Sequence, residues 1–335
     1  MKRTLRISLI DFTGLMLFGL AIFLITFSEN LQQYMNIPSS VLHMNTIFLS
    51  ILIEALPFVL IGVVIAGIIQ IFITEDHIKR WIPKNTFLAA IMSCVVGALF
   101  PACECGIVPI VRRLIAKGVP IYAGIGFLLT GPLINPIVIL STYMAFGNDL
   151  KIALSRMIIG FLIALVIALI ISFLFKTNQL KKGLTSANHI HSDDSNKKPI
   201  TVRIGNVLMH AVDEFFDMGK YLIIGAVLAA FVQTYVSSES LVGIGNGDVA
   251  SSTAVMMGLA YLLSLCSEAD AFIAASFSNI FPTTAILAFL VYGPMIDLKN
   301  TLMMLSVFKT RFVVIFISIV TIVVFSTFIL VQGLY

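Results

Sequence analysis

Along its hydrophobic and polar positions the chain alternates between long apolar runs and short polar interruptions. Stretches near 9–27, 50–73, 121–146, 153–175, 215–236, 283–296 and 312–332 are read as membrane-spanning helices, which need about 20 mostly apolar residues. Two further stretches, 87–111 and 251–281, are interrupted, by Pro101 to Gly106 in one and by Ser264 to Asp270 in the other, and predict broken segments. Proline removes a backbone donor and glycine loosens a helix, and at membrane depth the freed polar groups are tolerated only where protein or water meets them. The interruptions therefore predict a lined cavity.

Composition sharpens this picture. Hydrophobic residues make up 59% of 335 positions and charged residues 11%, against roughly 25% charged in soluble domains, so water is not the main solvent. The net charge of +4 reads as cytoplasmic marking, since Lys and Arg collect on the inner side of membrane proteins, and not as a nucleic-acid surface. Lys2, Arg3 and Arg6 place the N-terminus inside, before a retained first helix, because no small-x-small cleavage site follows the apolar run. Ser28 to Asn45 holds no Lys or Arg and reads as outside, whereas Lys79, Arg80 and Lys84 read as inside. If 87–111 crossed fully, Arg112, Arg113 and Lys117 would face outward; a re-entrant hairpin removes that conflict. The polar segment 176–205, with Lys181, Lys182, Lys197, Lys198 and Arg203, is expected in the cytoplasm, and the C-terminus outside.

The two halves match at an offset of 163. Residues 53–70 lie over 216–233, pairing Glu54 with Asp217, Phe58 with Tyr221, Gly62 with Gly225 and Gln70 with Gln233; Cys103 meets Cys266 at the same offset. One residue of slippage brings GPLIN (131–135) onto GPMID (293–297), and a shorter loop brings Arg156 onto Arg311. The expected architecture is an all-α polytopic membrane protein. It has an extra first helix with an external loop (1–45), a first repeat (46–175), a cytoplasmic linker (176–205) and a second repeat (206–335). Each repeat is expected to hold three spanning helices and one broken re-entrant hairpin. An odd number of crossings inverts the second repeat, as is common among secondary transporters.

The chemistry concentrates at the hairpin tips. PACECGIVP (101–109) carries Pro101, Gly106 and Pro109 as helix breakers around Cys103, Glu104 and Cys105. A broken backbone lets two cysteines two residues apart turn to one ligand, and thiolates favour Cu(I), zinc and, by the same softness, trivalent arsenic. SLCSEAD (264–270) supplies Cys266, Glu268 and Asp270, and a two-fold axis would bring the tips together, making Cys103, Cys105 and Cys266 the candidate metal or metalloid ligands. Intramembrane ionisable groups face a cavity or a partner, so Glu104, Glu268 and Asp270 join the candidate site. Glu54, Asp213, Glu214 and Asp217 qualify only in part, standing near helix ends. Gly131 with Pro132 and Gly293 with Pro294 predict helix breaks that free carbonyls beside Asn135, a further candidate, and Asp297. Cys94, in a plain apolar helix, reads as a small buried hydrophobe. His189, His191, Asp193 and Asp194 read as solvated linker.

On PACECGIVP and GPLINP the chain resembles the bacterial permease family that includes the ArsP organoarsenical efflux permeases. Members carry a Pro-x-Cys-x-Cys-Gly-x-x-Pro segment, matched here by Pro101, Cys103, Cys105, Gly106 and Pro109, in two apolar halves joined by a polar loop. The resemblance, from about residue 45 onward, implies export of trivalent organoarsenicals bound by cysteines. Glu104 stands where a small polar residue suits an arsenical exporter, and an acid there suits a cation such as zinc. The expectation is a secondary exporter of a small thiophilic solute, with transition-metal transport or a membrane thiol-disulfide oxidoreductase as alternatives. Lacking a GxxxxGK[ST] pattern, the chain is not expected to hydrolyse ATP itself; as a permease it is not read as an enzyme, and no cofactor is expected. Expected partners are the lipid bilayer and a small-molecule or metalloid substrate, with no nucleic acid; a soluble or membrane companion and a homo-oligomer are both compatible.

Overall fold

A computed structural model describes residues 39–72, 78, 80–83, 85–100, 102–181, 200–235 and 248–334, together with Met16 and Gly19. Among these residues the fold is all-α. In chain order the helices are α1 (Ser39–Phe72), α2 (Thr86–Ala98), α3 (Glu104–Ala116), α4 (Ile121–Thr130), α5 (Pro136–Ala145) and α6 (Leu150–Leu174). There follow α7 (Ile200–Tyr235), α8 (Val249–Leu263), α9 (Ser267–Ser276), α10 (Thr283–Met295), α11 (Leu298–Val307) and α12 (Thr310–Val331). Among the described residues five stretches are long and apolar enough to cross a membrane: Ser39–Phe72, Leu150–Leu174, Ile204–Tyr235, Thr283–Val307 and Thr310–Val331. The expected first helix near 9–27, Pro101, and His189 to Asp194 in the linker lie outside the described residues.

The apolar stretch 121–146 is not one helix. α4 stops at Thr130 and a turn through Gly131, Pro132 and Leu133 leads to Asn135, whose side chain accepts from Ile137 N at 2.9 Å and caps α5. Pro132 and Pro136 have no amide hydrogen to offer a continuing helix. The same happens after α10, where Asp297 accepts from Asn300 N at 2.5 Å and opens α11. The polar LKNT at the head of α11 hid this helix from a reading by hydropathy. The expected linker also ends earlier than 205, since α7 begins at Ile200. On its near side, Lys181 N donates to Val307 O and Lys309 N to Gln179 O, both at 3.0 Å, tying the chain after α6 to the α11–α12 junction.

Both halves thus run in one order: a long helix, two broken pairs and a closing helix. α1 packs on α7 and α3, and α7 on α11; α3 meets α11, and α5 meets α9. Every side chain from Ala102 to Arg112 is buried, as is every one from Ala285 to Asp297, so α3 and α10 are interior elements. The outer helices keep one apolar face open: Ile53 and Leu60 on α1, Leu162 and Phe173 on α6, Phe216 and Phe231 on α7, Ile322 and Leu330 on α12. Such faces suit hydrocarbon, because every backbone group of a helix is satisfied within it.

Candidate functional site

Four short helices begin at the two breaks and at the two polar interruptions, the tips of the broken pairs α2–α3 and α8–α9. α3 starts after Cys103 and α9 after Cys266, each cysteine standing at the N-cap without a side-chain capping bond. α5 starts after Asn135 and α11 after Asp297. They meet across the halves in the pairs α3 with α11 and α5 with α9. A helix N-terminus carries roughly half a positive charge, and acids stand at three of the four: Glu104 on α3, Glu268 and Asp270 on α9, Asp297 on α11. Ser264, which ends α8, holds a left-handed φ of 49°. Its hydroxyl accepts from Lys299 N at 3.2 Å, fastening the second tip to α11.

The tips also touch each other. Ser267 Oγ donates to Glu104 Oε1 at 2.9 Å, joining second-half tip to first-half tip. Cys266 Sγ donates to Glu54 Oε1 on α1 and lies 3.2 Å from Glu268 Oε2. Ligand atoms of Glu54, Cys266 and Glu268 all lie within 4.8 Å of one another. A cavity of about 10 Å³ is lined by Ile51, Glu54, Phe58, Cys103, Glu104, Cys105, Cys266 and Lys299 among others. Cys103, Glu104 and Cys105 are buried whereas Glu54, midway along α1, is exposed.

Close backbone approach holds the first tip in place. A Cβ added to Gly62 of α1 would stand 2.2 Å from Gly106 O, and one added to Gly106 would stand 2.7 Å from Phe58 O. Across the other half, a Cβ on Gly225 of α7 would lie 3.1 Å from Lys299 Cα. Small residues allow helices this near. Arg156, 1% exposed, braces the second tip from α6: Nη1 donates to Thr142 Oγ1 at 2.7 Å and Nη2 to Ser267 O at 3.2 Å. At the far end of α3, Arg112 and Arg113 both pair with Glu214 of α7, the former at 2.5 Å.

The structure therefore gathers Cys103, Glu104, Cys105 and Cys266 on one cavity, with Glu268 beside it. Asp270 is buried, its Oδ2 aimed at Gly293, 2.8 Å from where a Cβ would be. Asn135 serves as the cap of α5 and is not among the cavity residues. Gly106 and Pro109 lie within α3, Gly131 and Pro132 in the α4–α5 turn, and Gly293 and Pro294 inside α10, just before its end. Of the residues matched by the offset, Asp217 does not mirror Glu54: both are exposed, but Asp217 pairs with Lys220 on its own helix at 3.2 Å, whereas Glu54 meets Cys266. Arg311 is likewise exposed where Arg156 is buried. Lys299 escaped the sequence reading altogether. Had LKNT been placed inside the membrane, the rarity of intramembrane lysine would have singled it out.

Comparison with known proteins agrees with this build. The family model ArsP_1, described as "Predicted permease", matches residues 40–333. The UPF0718 protein YcgR of Bacillus subtilis is 52% identical over 89% of this chain and 100% of its own. A Streptococcus mutans protein named "Putative two-component membrane permease complex subunit" is 43% identical over 84% of this chain and 93% of its own. A UPF0718 protein of Methanocaldococcus jannaschii is 26% identical over 42% of this chain and 38% of its own. No solved structure matches.

Proposed function

The chain belongs to this permease family, and from that premise we propose that it is a secondary permease carrying a small thiophilic solute through the junction of the two hairpin tips. Cys103, Glu104, Cys105 and Cys266, with Glu54 and Glu268, form the solute site. The donor set favours a soft or borderline divalent cation, zinc-like in its preferences, over a trivalent organoarsenical. The observation that carries this is the trio Glu54, Cys266 and Glu268, whose ligand atoms lie within 4.8 Å. Tetrahedral zinc with ligands at 2.0–2.3 Å would hold its donors roughly 3.3–3.8 Å apart, a spacing that the trio, with every ligand atom within 4.8 Å of the others, can reach by side-chain adjustment. The Cys266 to Glu268 spacing of 3.2 Å already falls near that range.

Size points the same way. A cavity of about 10 Å³ is near the space one water-sized sphere needs, enough for an ion and too little for a methylated arsenical without wider opening. The matching element order of the two halves supports inverted repeats that alternate access to the site. The name borne by the Streptococcus relative supports a companion subunit for this chain as well.

The test is uptake of zinc, arsenite and methylarsenite into everted vesicles holding wild type, Cys103→Ser, Cys105→Ser, Cys266→Ser or Glu54→Gln, with and without a proton gradient. Zinc uptake lost in the Cys266 and Glu54 variants supports the cation reading. Uptake of methylarsenite that needs the cysteines and ignores Glu54 transfers the site to the arsenical. No uptake of any of the three, with the companion subunit present, refutes the solute class.

A further inference from the structure

Lys299 stands on the same cavity as the thiols and Glu54, yet no part of a cation site calls for an ammonium. Its side chain is 6% exposed, and its one ion pair among the described residues, to Asp297 Oδ2, is long at 3.5 Å. Charge-assisted bonds of this type close to about 2.7–2.9 Å, so Asp297 holds the ammonium loosely. Asp297 is itself committed through its other oxygen, which accepts from Asn300 N at 2.5 Å. The lysine backbone, by contrast, is fixed: its N–H bonds Ser264 Oγ, and its Cα abuts Gly225. A pinned backbone with a loosely paired, four-carbon side chain over a cavity describes a group that can swing.

The need for such a group follows from the acids. Glu54 and Glu268 lie with Cys266 between them, their ligand atoms within 4.8 Å. Glu268 lies in the first turn of α9, whereas Glu54 sits midway along α1, remote from both ends of its own helix, and meets the α9 N-terminus only through Cys266. A cation between them answers both charges. When the cation leaves, the Glu54 and Glu268 carboxylates, with Glu104 on the same cavity, must be neutralised by protons or by another cation before the carrier resets, because an unpaired charge in the bilayer interior is strongly disfavoured.

We propose that Lys299 is a tethered counter-cation: its ammonium rests on Asp297 while the cargo cation is bound and moves onto the Glu54 and Glu268 carboxylates when the cargo leaves, letting the empty carrier return. The lysine thereby competes with the cargo for one seat, sets a limit on affinity and makes net transport possible without a second ion in the site. This inference rests on the cation reading of the site, and it adds a part to it, the return step, for which Lys299 is the one cationic residue lining the cavity.

The experiment uses the full chain, purified in detergent and in proteoliposomes, with Zn²⁺ as the probe and Cd²⁺ as its softer substitute. Lys299→Met removes the competitor. The expected result is Zn²⁺ binding at least about tenfold tighter than in wild type, net zinc efflux lost, and exchange of zinc for zinc across the liposome retained, because a loaded carrier still reorients. Lys299→Arg keeps the charge and should retain net efflux in part. Asp297→Asn removes the resting place, drives the ammonium onto the seat and should weaken Zn²⁺ binding; it serves as the independent variant if Lys299→Met elutes as aggregate. Loss of exchange together with net efflux in a monodisperse Lys299→Met, or Zn²⁺ affinity unchanged or weaker, overturns the proposal and leaves the cation site standing. If wild type binds neither Zn²⁺ nor Cd²⁺, the cation reading itself falls, and this inference with it.

Discussion

Replacing Gly62 by alanine tests whether backbone contact between α1 and α3 sets the geometry of the site. The added Cβ would stand 2.2 Å from Gly106 O and 2.9 Å from Gly106 C and Cα. Backbone, not a flexible side-chain tip, lies in its path, so α1 and α3 must separate by about 1.2 Å to restore the 3.4 Å of ordinary contact. Gly106 is one residue beyond Cys105 and two beyond Glu104, so the shift reaches the first tip almost undiminished. Overpacking of this kind destabilises by about 1–3 kcal/mol, and a displacement near 1 Å at a reacting centre can reduce a rate about 100-fold. We expect Gly62→Ala to lower the initial rate of zinc flux into proteoliposomes more than tenfold and to reduce thermal stability in detergent. Gly219→Ala, on α7 with nothing within 4 Å of the added carbon, is the control: flux should hold, with up to ~1 kcal/mol gained in helix propensity. Gly225→Ala, at 3.1 Å from Lys299 Cα, should fall between. Indistinguishable flux and melting in Gly62→Ala and Gly219→Ala would sink the argument that the α1–α3 contact positions the tip.

Three further outcomes are expected. Glu214→Gln leaves Arg112 and Arg113 without their shared carboxylate in a cluster whose side chains are 2%, 8% and 13% exposed; a melting temperature reduced by the equivalent of about 3–5 kcal/mol, partly restored by adding Arg113→Gln, would identify the clasp, and an unshifted melt would dismiss it. Arg156→Lys keeps a charge but cannot reach Thr142 Oγ1 and Ser267 O together; losing one charged hydrogen bond, ~1.5–3 kcal/mol, should slow flux about tenfold or more, and wild-type flux would show that the brace is dispensable. Cys94→Ala should carry zinc at the wild-type rate, since Cys94 packs against Gly126 away from the tips; a defect equal to that of Cys266→Ser would bring a fourth thiol into the site.

Much of this was legible in the residues because membrane depth makes polarity conspicuous. Cys103, Glu104 and Cys105 between Pro101 and Pro109 cannot belong to a lipid-facing helix, and the structure buries all three. Three elements were obscured for distinct reasons. Gly131 and Pro132 signalled a break inside 121–146, but hydropathy stays high across them, which hid that the break divides the stretch into two separate helices. α11 was hidden by Lys299 and Asn300, polar residues that hydropathy assigns to a helix end although protein, not lipid, surrounds them here. Glu54 looked like a helix-end acid on the assumption that its span began near residue 50; α1 in fact starts at Ser39, which moves Glu54 to mid-helix and beside Cys266. The offset of 163 paired it with Asp217, which the fold pairs with Lys220 of its own helix and not with a cysteine. Sequence correspondence carried the order of elements but not the facing of each side chain, because facing depends on which helix packs alongside.

That difference in packing bears on how the permease moves. α1 lies along α3, Gly62 against Gly106, whereas its counterpart α7 lies along α11, Gly225 against Lys299. If the halves are inverted repeats, exchanging their two arrangements generates a second state, open to the opposite side. By the offset of 163 Gly106 corresponds to Ala269, and with the one residue of slippage after GPLIN Lys299 corresponds to Ile137, so in that state Gly225 meets Ala269 and Gly62 meets Ile137. Ile137 is 54% exposed in the present arrangement, which leaves room for α1 to arrive. A photo-reactive phenylalanine analogue at Ile137, with the protein in proteoliposomes, should join to α1 at or near Gly62 when a zinc gradient drives turnover, and the yield should fall when Lys299→Met stalls the empty carrier. Crosslinks to α1 absent under every gradient, with zinc flux intact, would mean that the halves do not exchange roles and that their matching order of helices reflects shared origin rather than shared motion.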